Sequence, residues 1–167
     1  LVDNFGAAPC HGGPAFAALR EGALDAAFDY QMMRTLGLRE HRPGHFGLGF
    51  HQGLASVFCF DLRSDKRHCE GRTEMFSEAQ YEQFVTFLRE EADRPVLVVA
   101  LSVPLLHVPD WIVDAGVAVT GIEGDAADRW SAVGARESRA KLLQALHDQR
   151  RRRPDQQVLV LGGDVHV

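Results

Sequence analysis

Asp164 and His166 stand two residues apart in the stretch Leu161-Gly162-Gly163-Asp164-Val165-His166. On an extended backbone, side chains two apart project to the same face. A carboxylate and an imidazole on one face are the oxygen and nitrogen ligands of a single metal ion or of one bimetallic centre. The same spacing more often marks a turn aspartate beside a hydrogen-bonded histidine, so the weight falls on the elements that would position the pair.

Residues 158–161, Val-Leu-Val-Leu, read as a buried strand of a mainly parallel sheet, and the glycine pair after them ends it. In open α/β sheets, ligands collect outside the carboxyl ends of the strands, where Asp164 and His166 would then lie. Residues 55–62 form a second apolar run, closing in the charged cluster Asp61, Arg63, Asp65, Lys66 and Arg67. That cluster is either a solvated turn or a site. Arg63 can grip a phosphate through its planar fork or tie the loop down by pairing with Asp61, and composition leaves both open. Residues 96–101 make a third buried strand, ending at Ser102-Val103-Pro104.

Helices alternate with these strands. Pro14 fits a first helical turn, and Phe16, Leu19, Ala23, Ala26, Tyr30 and Met33 recur as a core-facing stripe up to Gly37. Ser77-Glu78-Ala79-Gln80 is a capping box, in which the serine oxygen accepts a backbone N–H and the glutamine reaches back. Tyr81, Phe84, Val85 and Leu88 then face a sheet. A last helix covers residues 135–150, with Leu142, Leu143 and Leu146 facing inward. Strand and helix in alternation predict one α/β domain over 1–167, or part of one.

With 167 residues, 46% of them hydrophobic, and a net charge of -5, the chain has the make-up of an ordinary globular domain. No apolar run reaches the length of a membrane span, and no signal-peptide pattern opens the chain. Cys10, Cys59 and Cys69 are odd in number and lack paired metal spacing, which favours free thiols and tilts an otherwise open compartment towards the cytoplasm. Lys66 and Lys141 are the only lysines, and the arginine, alanine and glycine usage resembles that of a GC-rich bacterial genome.

Other chemistry is weaker. His41, His45 and His51 invite a zinc reading, but residues 41–53 have the composition of a long surface loop that does not preorganise imidazoles, and no cysteine or carboxylate completes the set. Arg150 to Arg153 form a basic run that a helix C-terminus favours, with no interleaved aromatics for base stacking, so no stable nucleic-acid partner is expected. Trp111 and Trp130 read as packing residues.

In order, the motifs resemble the alkaline phosphatase D-like (PhoD-like) metallophosphatases over nearly the whole chain. Leu1-Val2-Asp3-Asn4-Phe5 looks like the segment directly after that family's Asp-Asp-His-Glu signature, and residues 60–67 are similar to its Leu-Asp-Thr-Arg strand end. Residues 75–80 match its glutamine-bearing helix start, and residues 101–104 its Ser-x-Pro strand end. Asp128-Arg129-Trp130, an arginine-bearing helix and Leu161-Gly162-Gly163-Asp164-Val165-His166 look like its C-terminal metal motif.

The resemblance implies an α/β fold that is part of a metallophosphoesterase-type two-sheet sandwich flanked by helices, and hydrolysis of small or polymeric phosphate esters by a metal-activated water. It implies a multinuclear centre of calcium, iron or manganese, with Asp164, His166 and Asn4 on metal-ligand positions. Asp61 falls on a supporting position and Arg63 on a phosphate-contact position; no residue is assigned a catalytic role. The family's N-terminal aspartates and its Asp-Asp-His-Glu signature are not in the sequence. The chain therefore reads as a C-terminal-side portion, incomplete at its N-terminus and at its C-terminus, that alone is a weak catalyst or none. The alternative from another class is a non-catalytic, degenerate α/β module whose loops bind a partner.

Overall fold

Three apolar runs pair as parallel strands in a computed structural model that describes residues 8–9, 14–32, 47–69, 72–105, 109, 111–112, 115 and 130–163. The first strands are β1 (Ala8–Pro9), β2 (Leu48–Gln52) and β3 (Ala55–Cys59). They are followed by β4 (Arg67–Cys69), β5 (Arg72–Glu74), β6 (Val96–Leu101) and β7 (Gln157–Gly162). The helices are α1 (Pro14–Ala27), α2 (Glu78–Glu90) and α3 (Arg136–Arg152). The result is an α/β fold with a mixed four-stranded sheet in the order β2-β3-β6-β7, and a small three-stranded sheet ordered β1-β4-β5.

The parallel strands run level with one another. Ala55 pairs with Val96 and Val96 with Gln157, while Cys59 pairs with Ala100 and Ala100 with Leu161. The ladder continues past the strand ends, where the Phe60 N–H reaches the Ala100 carbonyl and the Gly163 N–H the Leu101 carbonyl, both at 2.9 Å. Three loops therefore leave the same edge of the sheet together.

One face of this sheet carries the core. Ser56, Phe58 and Phe60 alternate inward, as do Leu97, Val99 and Leu101, and they meet Phe84, Phe87 and Leu88 of α2 and Leu142, Ala145 and Leu146 of α3. The Phe58 ring lies 4.9 Å from Phe60 and from Phe84, and 5.4 Å from Phe87, at tilted angles that aromatic quadrupoles prefer. Buried glutamines seal the far end. Gln156 donates to the Arg94 carbonyl at 2.7 Å and the Ala92 carbonyl at 3.0 Å, while accepting from Gln149 at 2.7 Å.

Several expectations are corrected. Residues 48–52, expected as loop, form an edge strand whose glycine gives α2 access: a Cβ on Gly49 would lie 2.4 Å from the Phe87 ring. The strand turns into β3 through Gly53, whose φ of +55° favours glycine. β7 is only half-buried, on one face, through Val158 and Val160; it is a sheet edge, and its outward Leu159 and Leu161 are 49% and 53% exposed.

On α1, Leu19, Ala23, Ala26 and Tyr30 face outward. The inward side is Arg20, Leu24, Ala27 and Phe28, one residue round from the expected stripe. A wider π-helical turn at Phe28–Met32 then breaks the 3.6-residue period. On α3, Leu143 is exposed because Ser138, Leu142, Ala145 and Gln149 define the buried side. Trp130 is buried as expected, whereas Trp111 is exposed. Among the described residues no helix is long and apolar enough to cross a membrane.

Candidate functional site

The carboxyl ends of β6 and β7 are brought into close approach by glycine. A Cβ on Gly162 would stand 2.6 Å from the Pro104 Cα, and one on Gly163 would stand 2.4 Å from the Ser102 carbonyl oxygen. Both obstacles are backbone, which cannot swing aside, so the glycine pair fixes how closely the two strand-end loops approach.

The loop after β3 is built around two carboxylates. Asp61 Oδ1 accepts the backbone N–H of Arg63 at 3.0 Å and of Ser64 at 2.8 Å, and its Oδ2 accepts the Ser64 hydroxyl. This is an Asx turn, in which a short carboxylate satisfies N–H groups two and three residues on. Asp65 accepts the Ser77 N–H and the Gln80 Nε2 amide, each at 2.7 Å.

Gln80, fully buried on the first turn of α2, binds this loop to the helix. Its Oε1 accepts the Asp61 N–H at 2.7 Å and its Nε2 donates to the Asp61 carbonyl at 3.0 Å. Ser77 caps α2 as expected, accepting the Gln80 N–H at 3.3 Å. The reciprocal half of the capping box is replaced: Asp65 takes the Ser77 N–H, which frees the glutamine side chain to hold the strand end.

Three cations surround the same loop. Arg63 is exposed. Lys66 is only 3% exposed while Arg67 is exposed like Arg63, so the cluster is a turn solvated only in part. Burial, and then the neighbouring Arg63 guanidinium, bring the Lys66 ammonium down from its usual 10.5 to about 8. Arg20 of α1 donates from Nη2 to the Ser64 carbonyl at 2.8 Å, and its Nε is buried with no hydrogen-bond partner. Cys59, the last residue of β3, is a free thiol whose pKa burial pushes up, so it is a poor nucleophile at neutral pH.

Asp61 and Arg63 thus sit together at the carboxyl edge of the sheet. Asp164, His166 and Asn4 lie outside the described residues, as do His41, His45, Asp128 and Arg129. Gly163, the residue before Asp164, ends beside Ser102. His51 stands on β2 with its Nδ1 3.3 Å from the Ser56 hydroxyl. Sequence reasoning named Lys66 only within the charged cluster and Gln80 only as a capping-box and helix-start residue, and missed Arg20 altogether; nothing local showed that Gln80 reaches the Asp61 peptide.

The donor chemistry of the described residues does not by itself make a metal centre. No three His, Cys, Asp or Glu side chains among them gather to hold a metal ion, and the Asp61 carboxylate is engaged by backbone N–H groups. A cavity of about 250 Å³ elsewhere, between β5 and the first turns of α2 and α3, is lined by paired charges, Arg72 with Glu137 and Lys141 with Glu78, each at 2.6 Å. The Arg150–Arg153 run is largely spent within the fold: Arg150 donates to the Gln156 carbonyl, Arg152 to the Gln149 amide oxygen and Arg153 to the Asp93 carbonyl.

Neither a family model, nor a curated protein, nor a solved structure matches this chain.

Proposed function

We propose that this chain belongs to a PhoD-like, metal-dependent phosphoesterase, with its site at the carboxyl edge of the four-stranded sheet. The observation that carries the reading is the convergence of three motif-bearing loops. The Asp61-Leu62-Arg63 strand end, Ser102-Val103-Pro104 and Gly162-Gly163 leave β3, β6 and β7 side by side, the last two in close approach through the glycine pair. Such an edge is where α/β sheets bind ligands.

In this reading Asp164, His166 and Asn4 hold the metals. A bound metal there supplies an acidified water and neutralises phosphate oxygens. Arg63 presents its guanidinium to the ester as a charge-assisted donor fork. Asp61 positions it, because its carboxylate fixes the Arg63 and Ser64 N–H groups, and Gln80 holds the Asp61 peptide in turn. The two-sheet sandwich is the architecture this proposal expects.

The experiment is manganese-, calcium- or iron-dependent hydrolysis of aryl phosphate mono- and diesters, compared between the complete protein and its His166→Ala variant. Loss of most metal-dependent turnover in the variant is expected; unchanged turnover sinks the site assignment. A second reading, a non-catalytic binding module, is favoured by the outward apolar side chains of β7 and predicts no stoichiometric metal uptake in a titration.

A further inference from the structure

We propose that the cavity between β5 and the first turns of α2 and α3 binds a small zwitterion of the α-amino-acid class, with its carboxylate on Arg67 and the Ser138 hydroxyl and its ammonium on Glu74. None of these residues takes part in the phosphoesterase reading, so the two stand or fall separately.

The first observation is how the charges of the cavity are paired. Six ionised side chains line it, Arg67, Arg72 and Lys141 against Glu74, Glu78 and Glu137. Four of them close on one another across its walls. Arg72 of β5 meets Glu137 of α3, and Lys141 of α3 meets Glu78 of α2, each at 2.6 Å. Arg67 and Glu74 are left over. They stand directly opposite each other on β4 and β5, a placement at which unlike charges attract. Neither side chain nevertheless has an ion pair or a hydrogen bond with the other or with any described residue. The cavity thus holds one open cation beside one open carboxylate.

The second observation is a buried donor. Ser138, only 7% exposed, lines the same cavity, and its hydroxyl oxygen accepts the Met75 N–H at 3.2 Å. A hydroxyl can donate while it accepts. No described group takes the Ser138 proton, although buried donors are paired almost without exception, and this points to an acceptor that arrives with a ligand.

Charge balance selects the class of ligand. A simple anion entering the cavity meets three carboxylates, and a simple cation meets three positive side chains. A carboxylate and an ammonium on one carbon answer Arg67 and Ser138 with one end and Glu74 with the other, and add no net charge. The planar Arg67 fork matches the carboxylate. A volume of about 250 Å³ lies at the small end for ligand sites, which suits an amino acid with a short side chain and excludes a nucleotide.

The test is titration of the whole chain with glycine and with L-serine, followed by NMR amide shifts, with acetate and methylammonium as probes that carry one end only. At least one amino acid is expected to saturate, with the largest shifts around Glu74 and Ser138. Acetate and methylammonium are expected to bind at least about tenfold more weakly, each lacking one charge-assisted contact. Arg67→Gln and Glu74→Gln, both at exposed positions, are each expected to weaken amino-acid binding about tenfold, and Ser138→Ala at least about threefold. Four results overturn the site: no saturation by either amino acid below about 50 mM, saturation with shifts elsewhere, acetate binding as tightly as glycine and L-serine, or parental affinity in both Arg67→Gln and Glu74→Gln. If Ser138→Ala does not fold, the two exposed variants decide alone.

Discussion

The Gln80 side chain grips the Asp61 peptide from both sides, accepting its N–H at 2.7 Å and donating to its carbonyl at 3.0 Å. A strand end normally has to find partners for both groups in solvent or in a further strand. A single amide from the first turn of α2 supplies both and thereby ties the helix start to the site edge.

Replacing Gln80 by leucine keeps the volume and leaves a half-buried N–H and a half-buried carbonyl without this partner, so a loss of about 1–3 kcal/mol is expected. Gln80→Glu fares no better, since its carboxylate has no proton to give the Asp61 carbonyl and faces Asp65. Urea unfolding midpoints of the two variants check this, and a loss below about 1 kcal/mol in both contradicts it.

Glycine substitutions are expected to split by position. Gly163→Ala drives a Cβ into the Ser102 carbonyl oxygen and Gly49→Ala drives one into the Phe87 ring, each costing about 1–3 kcal/mol. Gly22 lies within α1, and a methyl group added there would meet nothing inside 4 Å, so Gly22→Ala should stabilise by about 0.5–1 kcal/mol. Thermal melts of the three variants give the comparison.

Lys66 sets a pH dependence with a definite sign. Its folded pKa of about 8 lies below the unfolded 10.5, so between those values the unfolded chain binds more protons and stability rises with pH. Below about 8 both states are protonated and the full burial penalty is present. The difference in melting temperature between the parent and Lys66→Met should therefore change steadily from pH 8 to 10.5 and stay flat from pH 6 to 7.5; a flat difference throughout removes the assignment.

Removing the α2 cap with Ser77→Ala should cost about 1 kcal/mol. The exposed pair Arg72 and Glu137, at 2.6 Å, should yield under about 1 kcal/mol in a double-mutant cycle despite its shorter distance. Chemical denaturation measures both, and a larger value for the ion pair than for the cap contradicts the ranking.

The three parallel strands were legible because Val158-Leu159-Val160-Leu161 and its counterparts are dense in branched apolar residues, and α2 was legible from Ser77 and its stripe. β2 was not, because Gly49 serves the approach of Phe87, a demand made by a helix some 38 residues away in the chain. The α1 stripe misled because alanines fit either side of a helix, so the pattern could not say whether Leu19 or Arg20 faces inward. The place of Asp61 and Arg63 at a strand end was legible from the apolar run before them. Arg20 and Gln80 were not, because nothing local tells a glutamine that caps its own helix from one that reaches another element's backbone.

The level register of β3, β6 and β7 carries a consequence for how the molecule is made. The β2–β3 hairpin closes over two residues, but Ala55 must find Val96 roughly 40 residues later, and Val96 must find Gln157 roughly 60 beyond that. Long closures are slow, so the hairpin and helices form before the parallel pairing does. The strand-end loops meet only when that pairing is complete. Partly folded chains therefore lack the assembled strand-end edge, and any ligand that bound there would select the finished fold over the intermediates.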